Sequence, residues 1–202
     1  MSWRLVLAGL ALLLLTACAT SPTGRRQLLM VSDADVNRMG LATFQQMKQT
    51  DKLSTDARKA DTASCIVRQL VAQLPADWQA LDWETQVFAV DSPNAFALPG
   101  GKVGINTGMF KVAANQDQLA AVIGHEIGHV IARHSAERLS QSALAEAGMG
   151  LAGAYVGRNA SPAQVNQVVA LLGAGTQVGV LLPYSRLHET EADKIGQALM
   201  AK

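Results

Sequence analysis

The sequence contains little cysteine and little charge, and neither of its apolar runs reaches the about 20 residues of a membrane-spanning helix. Its 202 residues include 2 cysteines and 16% charged residues, with a formal net charge of +1. The cysteine content excludes a disulfide framework, and the charge gives no reason to expect nucleic acid as a partner. Because 49% of the residues are hydrophobic, we expect one globular domain with a sizeable core.

The first apolar run, Leu5–Leu15, predicts a targeting signal, since Arg4 precedes it and small residues follow it. It ends in Leu15-Thr16-Ala17-Cys18, which resembles a bacterial lipobox. That resemblance implies cleavage before Cys18, lipidation of this residue and attachment to a membrane through the acyl chains. Ala19, in place of an aspartate, favours the outer membrane. An uncleaved anchor or an ordinary secretory signal is the alternative.

We therefore divide the chain into a signal peptide over residues 1–17, a lipidated tether over residues 18–31 and a domain over residues 32–202. Ser21-Pro22-Thr23-Gly24 is typical of a flexible linker. If Cys18 is acylated, Cys65 is the only remaining thiol and no internal disulfide can form. Cys65 follows the helical pattern of Ile66 and Leu70, which predicts a buried structural cysteine.

Hydrophobic periodicity predicts an α+β fold that is mostly helical. Capping and turn signals set the expected boundaries of its elements. We predict a helix from Ser32 to about Lys48, a helix from Ser54 or Thr55 to Leu74, a strand over Thr85–Val90, two extended segments over Asn94–Leu98 and Lys102–Asn106 around Pro99-Gly100-Gly101, and a helix capped by Asn115 with Gln118.

The second apolar run, Val168–Leu182, is too short to span a bilayer and contains Gly173, Gly175 and Gly179. A buried helix that packs closely through these glycines is the favoured interpretation. The alternative is a membrane-inserted hairpin formed with Leu144–Val156.

The stretch His125-Glu126-Ile127-Gly128-His129 is an HExxH motif inside a predicted buried helix. Helical positions four apart are separated by about 40° around the axis, so both imidazoles can reach one metal ion. No other residue from Gln118 to Ala132 can carry a charge. A divalent cation would compensate the cost of burying these three groups, as in zinc peptidases. Core histidines bonded to backbone carbonyls are the alternative.

A catalytic zinc ion needs a third protein ligand and an open position for water. A third histidine at a fixed short distance is absent, because Ser135 stands at its position. Of the 4 histidines, His134 is out of helical phase with the motif, while His188 stays possible.

Glu189 is the favoured third ligand, because Asp193 lies one helical turn later. The aspartate can then accept a hydrogen bond from a zinc-bound histidine. Helical phase puts Glu191 on roughly the opposite side. The small residues Ala192 and Gly196 would let this helix approach Gly128 and Gly124. A solvated acidic helix start is the alternative explanation of both glutamates.

Three ordered motifs carry a family resemblance: NAFALPGG at residues 94–101, HEIGH at residues 125–129 and SRxxExxAD at residues 185–193. Together they resemble the HtpX-type and CAAX-prenyl-protease-type family of gluzincin peptidases, in its soluble bacterial lipoprotein branch. The resemblance runs from about Ser32 to the end of the sequence. It implies a zincin-like minimal gluzincin core, with a small β-sheet and an active-site helix, in a zinc metallopeptidase domain over residues 32–202.

The resemblance also implies the roles of individual residues. One zinc ion would bind His125, His129 and Glu189, with Glu126 as the base and Asp193 behind a ligand. The substrate cleft would be bordered by the segment Asn94, Ala95, Phe96, Ala97 and Leu98. Apart from the resemblance, Arg186, which we also place at the cleft, and Tyr184 are candidates for stabilising the oxyanion. Family members continue beyond the ExxAD helix with a His-Pro element and an arginine that face the site. We expect the chain to be truncated at its C-terminus; the alternative is that it lacks this transition-state helper.

The expected function is zinc-dependent hydrolysis of peptide bonds in unfolded or misassembled envelope proteins, with Glu126 as general base. The expected location is the periplasmic face of the outer membrane, through a lipid on Cys18. Expected partners are polypeptide substrates, the membrane and envelope assembly machinery, but no nucleic acid. A zinc-binding chaperone without catalysis and an intramembrane peptidase are the alternatives.

Overall fold

The computed structural model describes residues 18–148 and 185–202, which form helices around two small β-sheets. This arrangement confirms the prediction of a mostly helical α+β fold. In chain order the elements are β1 (Cys18–Thr20), β2 (Arg26–Leu28), α1 (Asp33–Thr50), α2 (Ala57–Val71), α3 (Ala76–Gln79), β3 (Glu84–Phe88), β4 (Ala95–Leu98), β5 (Lys102–Asn106), α4 (Met109–Val112), α5 (Gln116–Ile131), α6 (His134–Gly148) and α7 (Ser185–Met200).

The larger sheet has the strand order β3-β5-β4, in which β5 pairs parallel with β3 and antiparallel with β4. The turn between β4 and β5 contains Gly100 and Gly101, whose φ angles of +81° and +78° suit glycine. Opposite Phe96 lies Gly104, where an added Cβ would lie 2.1 Å from the Phe96 ring. The hairpin therefore depends on glycine both for its turn and for the space that this ring occupies.

The two faces of this sheet are covered by different helices. One face packs with α2 and α5 in a cluster that includes Val67, Ile105 and Ile127. The other packs with α1 in a cluster that includes Phe44 and Phe96. Because both faces are buried, β4 has no exposed side-chain face. Helix α5 packs on the sheet through the first of these clusters.

The HExxH motif lies in α5, as predicted. The side chain of Asn115 caps this helix by accepting a hydrogen bond from the backbone N–H of Gln118 at 2.9 Å. The helix ends at Ile131, and Arg133 then adopts a left-handed conformation with φ of 56°. A new helix, α6, begins directly afterwards at His134. The helical phase of α5 therefore does not extend into α6.

Helix α7 packs closely on α5 through small residues. A Cβ added at Gly128 would lie 2.7 Å from the backbone oxygen of Ala192. One added at Gly196 would lie 2.8 Å from the backbone nitrogen of His125. The close approach that we expected from the small residues of the two segments is thus present.

Two local predictions on α2 are wrong. Asp56 caps this helix, in place of Ser54 or Thr55, and accepts a hydrogen bond from the Lys59 N–H at 3.2 Å. Cys65 is exposed, not buried. The core face of α2 runs through Ala63 and Ile66, and Cys65 is rotated away from this face.

Ser21-Pro22-Thr23-Gly24 has the composition of a flexible linker, but in the structure it forms the turn of a hairpin. Strands β1 and β2 pair antiparallel with Cys18 opposite Leu28. The turn between them is closed by a hydrogen bond from the Gly24 N–H to the Ser21 oxygen at 2.9 Å. Ser21 and Gln27 are buried, because this N-terminal hairpin, Cys18–Leu28, packs against the rest of the domain.

The signal peptide and the apolar run Val168–Leu182 lie outside the described residues, as does most of Leu144–Val156. Within the described ranges, no helix combines the length and apolar character needed to cross a bilayer.

Candidate metal centre

Three side chains from two helices converge at the HExxH motif. His125 Nε2 lies 3.1 Å from His129 Nε2 and 3.2 Å from Glu189 Oε2. His129 Nε2 lies 3.6 Å from Glu189 Oε1. Zinc bonds of about 2.0–2.1 Å in a tetrahedron place ligand atoms about 3.3 Å apart. These spacings therefore fit a site in which the three residues hold one zinc ion.

Asp193 orients the first of these histidines. Its Oδ1 atom lies 2.8 Å from His125 Nδ1, one turn of α7 beyond Glu189. A hydrogen bond from Nδ1–H to this carboxylate leaves Nε2 free to bind a metal. The structure thus brings together His125, His129, Glu189 and Asp193, four of the residues that the sequence assigned to the site.

The charges of the ligand groups suit a divalent cation. Hydrogen bonding to His129, against the opposing effect of burial, lowers the pKa of Glu189 to about 2. Burial lowers the pKa of His129 below its ordinary value, although its hydrogen bond to Glu189 opposes this shift. At neutral pH the chain therefore offers an ionised carboxylate and a neutral imidazole, the forms in which these groups bind metals.

Glu126 lies beside these groups in a half-buried position on α5. Burial, with a smaller contribution from the Glu189 charge, raises the pKa of Glu126 to about 7, while His125 and Arg138 oppose the shift. None of the described residues donates a hydrogen bond to its carboxylate. A carboxylate with a pKa near neutrality can both accept and return a proton, as a general base must.

His134 contacts His129, and the sequence did not predict this contact. Its Nδ1 atom lies 2.8 Å from His129 Nδ1, and its Nε2 atom lies 3.1 Å from Glu191 Oε2. Burial lowers the pKa of His134 to about 3, so its imidazole is neutral. The argument from helical phase missed this contact because Arg133 breaks the helix between the two histidines.

The N-terminal hairpin lies on the far side of this group. The Nε atom of Arg25 donates to Glu191 Oε2 at 2.8 Å, and its other two nitrogens donate to Glu137 at 2.8 and 2.7 Å. His188 Nε2 lies 3.0 Å from Glu137 Oε2. This contact directs His188, the alternative third ligand, away from the metal centre.

The segment expected to border the substrate cleft forms β4 in the larger sheet. Ala95, Phe96 and Ala97 are buried, and the Phe96 ring lies 6.0 Å from that of Phe88 in the core. Their side chains do not line an open cleft, because both faces of the sheet are covered. What β4 offers is its backbone edge, since it is the outer strand of the larger sheet. Asn94, just before β4, is half-buried.

Arg186 is exposed near the start of α7, whereas Tyr184 lies outside the described residues. A cavity of about 260 Å³ opens beside His129, between α1 and α3. Its lining includes Arg133, which pairs with Asp33 at 2.7 Å and lies over the Trp78 ring at 5.8 Å. Of the three candidate metal ligands, only His129 lines this cavity.

The sequence profile of peptidase family M48 matches residues 57–202, which include all three metal-ligand candidates. The chain belongs to peptidase family M48. The family resemblance seen in the three motifs is therefore confirmed at this level, while the assignment to a lipoprotein branch stays a prediction.

Curated relatives of this M48 chain are named as proteases. It is 39% identical over 122 residues to the mitochondrial metalloendopeptidase OMA1 of Schizosaccharomyces pombe, covering 60% of this chain and 34% of that protein. It is 37% identical over 110 residues to the beta-barrel assembly-enhancing protease of Escherichia coli K12, covering 52% and 22%. With the mitochondrial metalloendopeptidase OMA1 of Bos taurus it shares 30% identity over 193 residues, covering 89% and 36%. The chain thus spans about a third or less of each of these relatives.

Proposed function

We infer that this chain is a zinc metalloendopeptidase in which His125, His129 and Glu189 hold the metal and Glu126 is the general base. The observation that carries this inference is the convergence of three donor atoms at zinc-ligand spacing beside a carboxylate with a pKa of about 7. Membership of the M48 family and the protease names of its relatives support the same reaction.

The chemistry of the proposed reaction depends mainly on Glu126. A bound zinc ion would supply a Lewis acid that polarises the peptide carbonyl and acidifies water. Glu126 accepts a proton from the attacking water, whose oxygen forms a bond to the carbonyl carbon. The same carboxyl group then returns the proton to the amide nitrogen as the carbon–nitrogen bond breaks. Asp193 keeps His125 in the tautomer that leaves its Nε2 free for the metal.

The proposed substrate is an extended, unfolded segment of polypeptide. Such a segment can add to the outer edge of β4 by backbone hydrogen bonds. Because the side chains of Ala95, Phe96 and Ala97 are buried, recognition along this strand involves backbone and not side chains. This mode of binding would accept varied sequences but would require an unfolded chain.

The proposed location is the bacterial cell envelope, with a lipid on Cys18 holding the protein at the periplasmic face of the outer membrane. Its substrates would be misassembled envelope proteins, and envelope assembly machinery would be a partner. The lipobox-like sequence supports the anchor, and the name of the beta-barrel assembly-enhancing protease of Escherichia coli supports the envelope context.

The decisive variant is Glu126→Gln, with Asp117→Asn as its control. Both changes neutralise one carboxylate on α5, but Asp117 is exposed in the first turn of the helix. Zinc content per chain and cleavage of unfolded casein are measured for the parent and both variants. We expect Glu126→Gln to keep its zinc and lose cleavage, while Asp117→Asn keeps both. Undiminished cleavage by zinc-loaded Glu126→Gln would contradict the assignment.

A further inference from the structure

His134 connects a metal-ligand histidine to the interior of the domain. If His129 binds zinc through Nε2, its proton lies on Nδ1 and must be donated to an acceptor. His134 Nδ1 is that acceptor, at 2.8 Å. The proton of His134 then lies on Nε2, which donates to Glu191 Oε2 at 3.1 Å. With these tautomers, every ring nitrogen of His129 and His134 has a partner: the zinc ion, the other histidine or Glu191.

Glu191 is in turn held by the N-terminal hairpin. The Arg25 Nε atom donates to its Oε2 at 2.8 Å, and the hydroxyls of Ser21 and Thr23 donate to its Oε1. Four donors, from the hairpin and from His134, thus surround one carboxylate. The hairpin is therefore connected to the metal-ligand histidine through two side chains, Glu191 and His134.

A second carboxylate, Glu137, completes this arrangement. It pairs with two nitrogens of Arg25 at 2.8 and 2.7 Å and with His188 Nε2 at 3.0 Å. The His188 ring stacks on His134 with 4.1 Å between the ring centroids. His134 is thus fixed at its edge by Glu191 and on its face by His188.

Stability alone does not account for so many buried polar groups. The side chains of His134, Glu137, His188 and Glu191 are at most 3% exposed. Well-packed apolar residues commonly replace such buried polar groups without loss of stability, whereas buried polar groups can specify a geometry. The geometry that this group specifies is the direction of the His129 imidazole.

We propose that His134 is a positioning residue that orients the metal ligand His129. The N-terminal hairpin holds it from the far side through Arg25 and Glu191. The hairpin therefore supports the metal centre from a distance, through Glu191 and His134. This inference rests on the proposed zinc site. The experiments below distinguish failure of the role of His134 from failure of the zinc site itself.

The first comparison is between His134→Leu and His134→Asn in the full chain, kept soluble in detergent micelles. Leucine removes the acceptor, whereas the asparagine oxygen can take the place of Nδ1. Zinc affinity is measured by competition with a coloured chelator, and coordination by the visible spectrum of the cobalt-loaded protein. We expect His134→Leu to weaken zinc binding by about 10–100-fold and to alter the cobalt spectrum, because loss of such a partner has this effect. We expect His134→Asn to recover most of both.

The second comparison tests the hairpin with Arg25→Met against Arg26→Met. Both variants lose one positive charge from the same short segment, but Arg26 is exposed and donates no side-chain hydrogen bond to the described residues. We expect Arg25→Met to weaken zinc binding by up to about tenfold, and Arg26→Met to bind zinc as the parent does. A lower melting temperature of Arg25→Met with parental zinc affinity would contradict the role of the hairpin.

Folded His134→Leu with a zinc affinity within about threefold of the parent and an unchanged cobalt spectrum would overturn the role of His134. If that variant does not fold, Glu191→Gln replaces it, since glutamine keeps the shape but loses the charge, and parental affinity would again overturn the inference. Failure of the proposed function gives a different result: the parent would bind no zinc, or Glu189→Ala would bind it as tightly as the parent.

Discussion

Gly196→Ala tests whether the close approach of α5 and α7 sets the metal geometry. A Cβ at this position would lie 2.8 Å from the His125 backbone nitrogen and 2.9 Å from the Gly124 carbonyl carbon. These are backbone atoms of a helix, so they cannot rotate away as a side chain can. The two helices must separate by at least about 0.6 Å to restore ordinary contact distances. Helix α7 carries Glu189 and Asp193, so both carboxylates would move relative to His125.

The expected magnitude follows from two opposing effects. Overpacking costs about 1–3 kcal/mol, whereas alanine is favoured over glycine inside a helix by about 1 kcal/mol. We expect the free energy of unfolding of Gly196→Ala to fall by up to about 2 kcal/mol, or about 4–8 °C in melting temperature. Zinc binding should weaken by at least about tenfold, because ligand distances in such sites tolerate only about 0.2 Å.

The matched control is Gly124→Ala, on the opposite side of the same contact. Its Cβ would lie 3.4 Å from the nearest atom, the Gly196 oxygen, a distance that the helices can accommodate. We expect unchanged zinc affinity and an unfolding free energy equal to the parent or higher by up to about 1 kcal/mol. The assays are thermal unfolding of the metal-free chain by circular dichroism and zinc competition with a chelator. Equal results for the two variants would refute the reasoning.

Two further predictions concern the carboxylates. Asp193→Asn should weaken zinc binding by about tenfold with little change in melting temperature, because the Asp193 side chain is 62% exposed; a large loss of stability would contradict this. Hydrogen bonds outweigh burial and lower the pKa values of Glu137 and Glu191 to about 2 from 4.5. The unfolded chain therefore takes up protons first, so stability present above about pH 4.5 is lost as the pH falls toward 2, by up to about 3 kcal/mol per group. Urea unfolding of the metal-free chain at about pH 6 and pH 3 measures this loss, and Arg25→Met should reduce it.

The sequence allowed prediction of those parts of the site that depend on signals within one element. Asn115 caps α5 through a side-chain contact three residues away, and the motif histidines share a helix face because of the period of that helix. Glu189 and Asp193 were placed together by the same period on α7. The small residues that allow the two helices to approach were also visible, because glycine and alanine have little side chain to separate the helices.

The contact of His134 was missed because the argument from helical phase assumed that α5 continues to residue 134. In the structure α5 ends at Ile131. The left-handed conformation of Arg133, with φ of 56°, turns the chain so that His134 faces His129. Such a conformation is usual for glycine and asparagine, but arginine gives no signal for it. The contact between His129 and His134 depends on how α6 packs against residues distant in sequence. The five-residue spacing of the two histidines contains no information about that packing.

Glu191 shows most clearly why the far side of the centre was not predicted. Helical phase correctly placed it away from Glu189, but no signal in the sequence indicates which segment covers that side of α7. In the structure that side is covered by the N-terminal hairpin, which supplies Arg25 to the carboxylate at 2.8 Å. Residues 18–28 have the composition of a linker, and nothing local indicates that they form a hairpin against α7. Whether a helix face is exposed to solvent depends on contacts distant in sequence. At the start of α7, Glu189 therefore faces the metal centre while Glu191, on the other side, binds the hairpin.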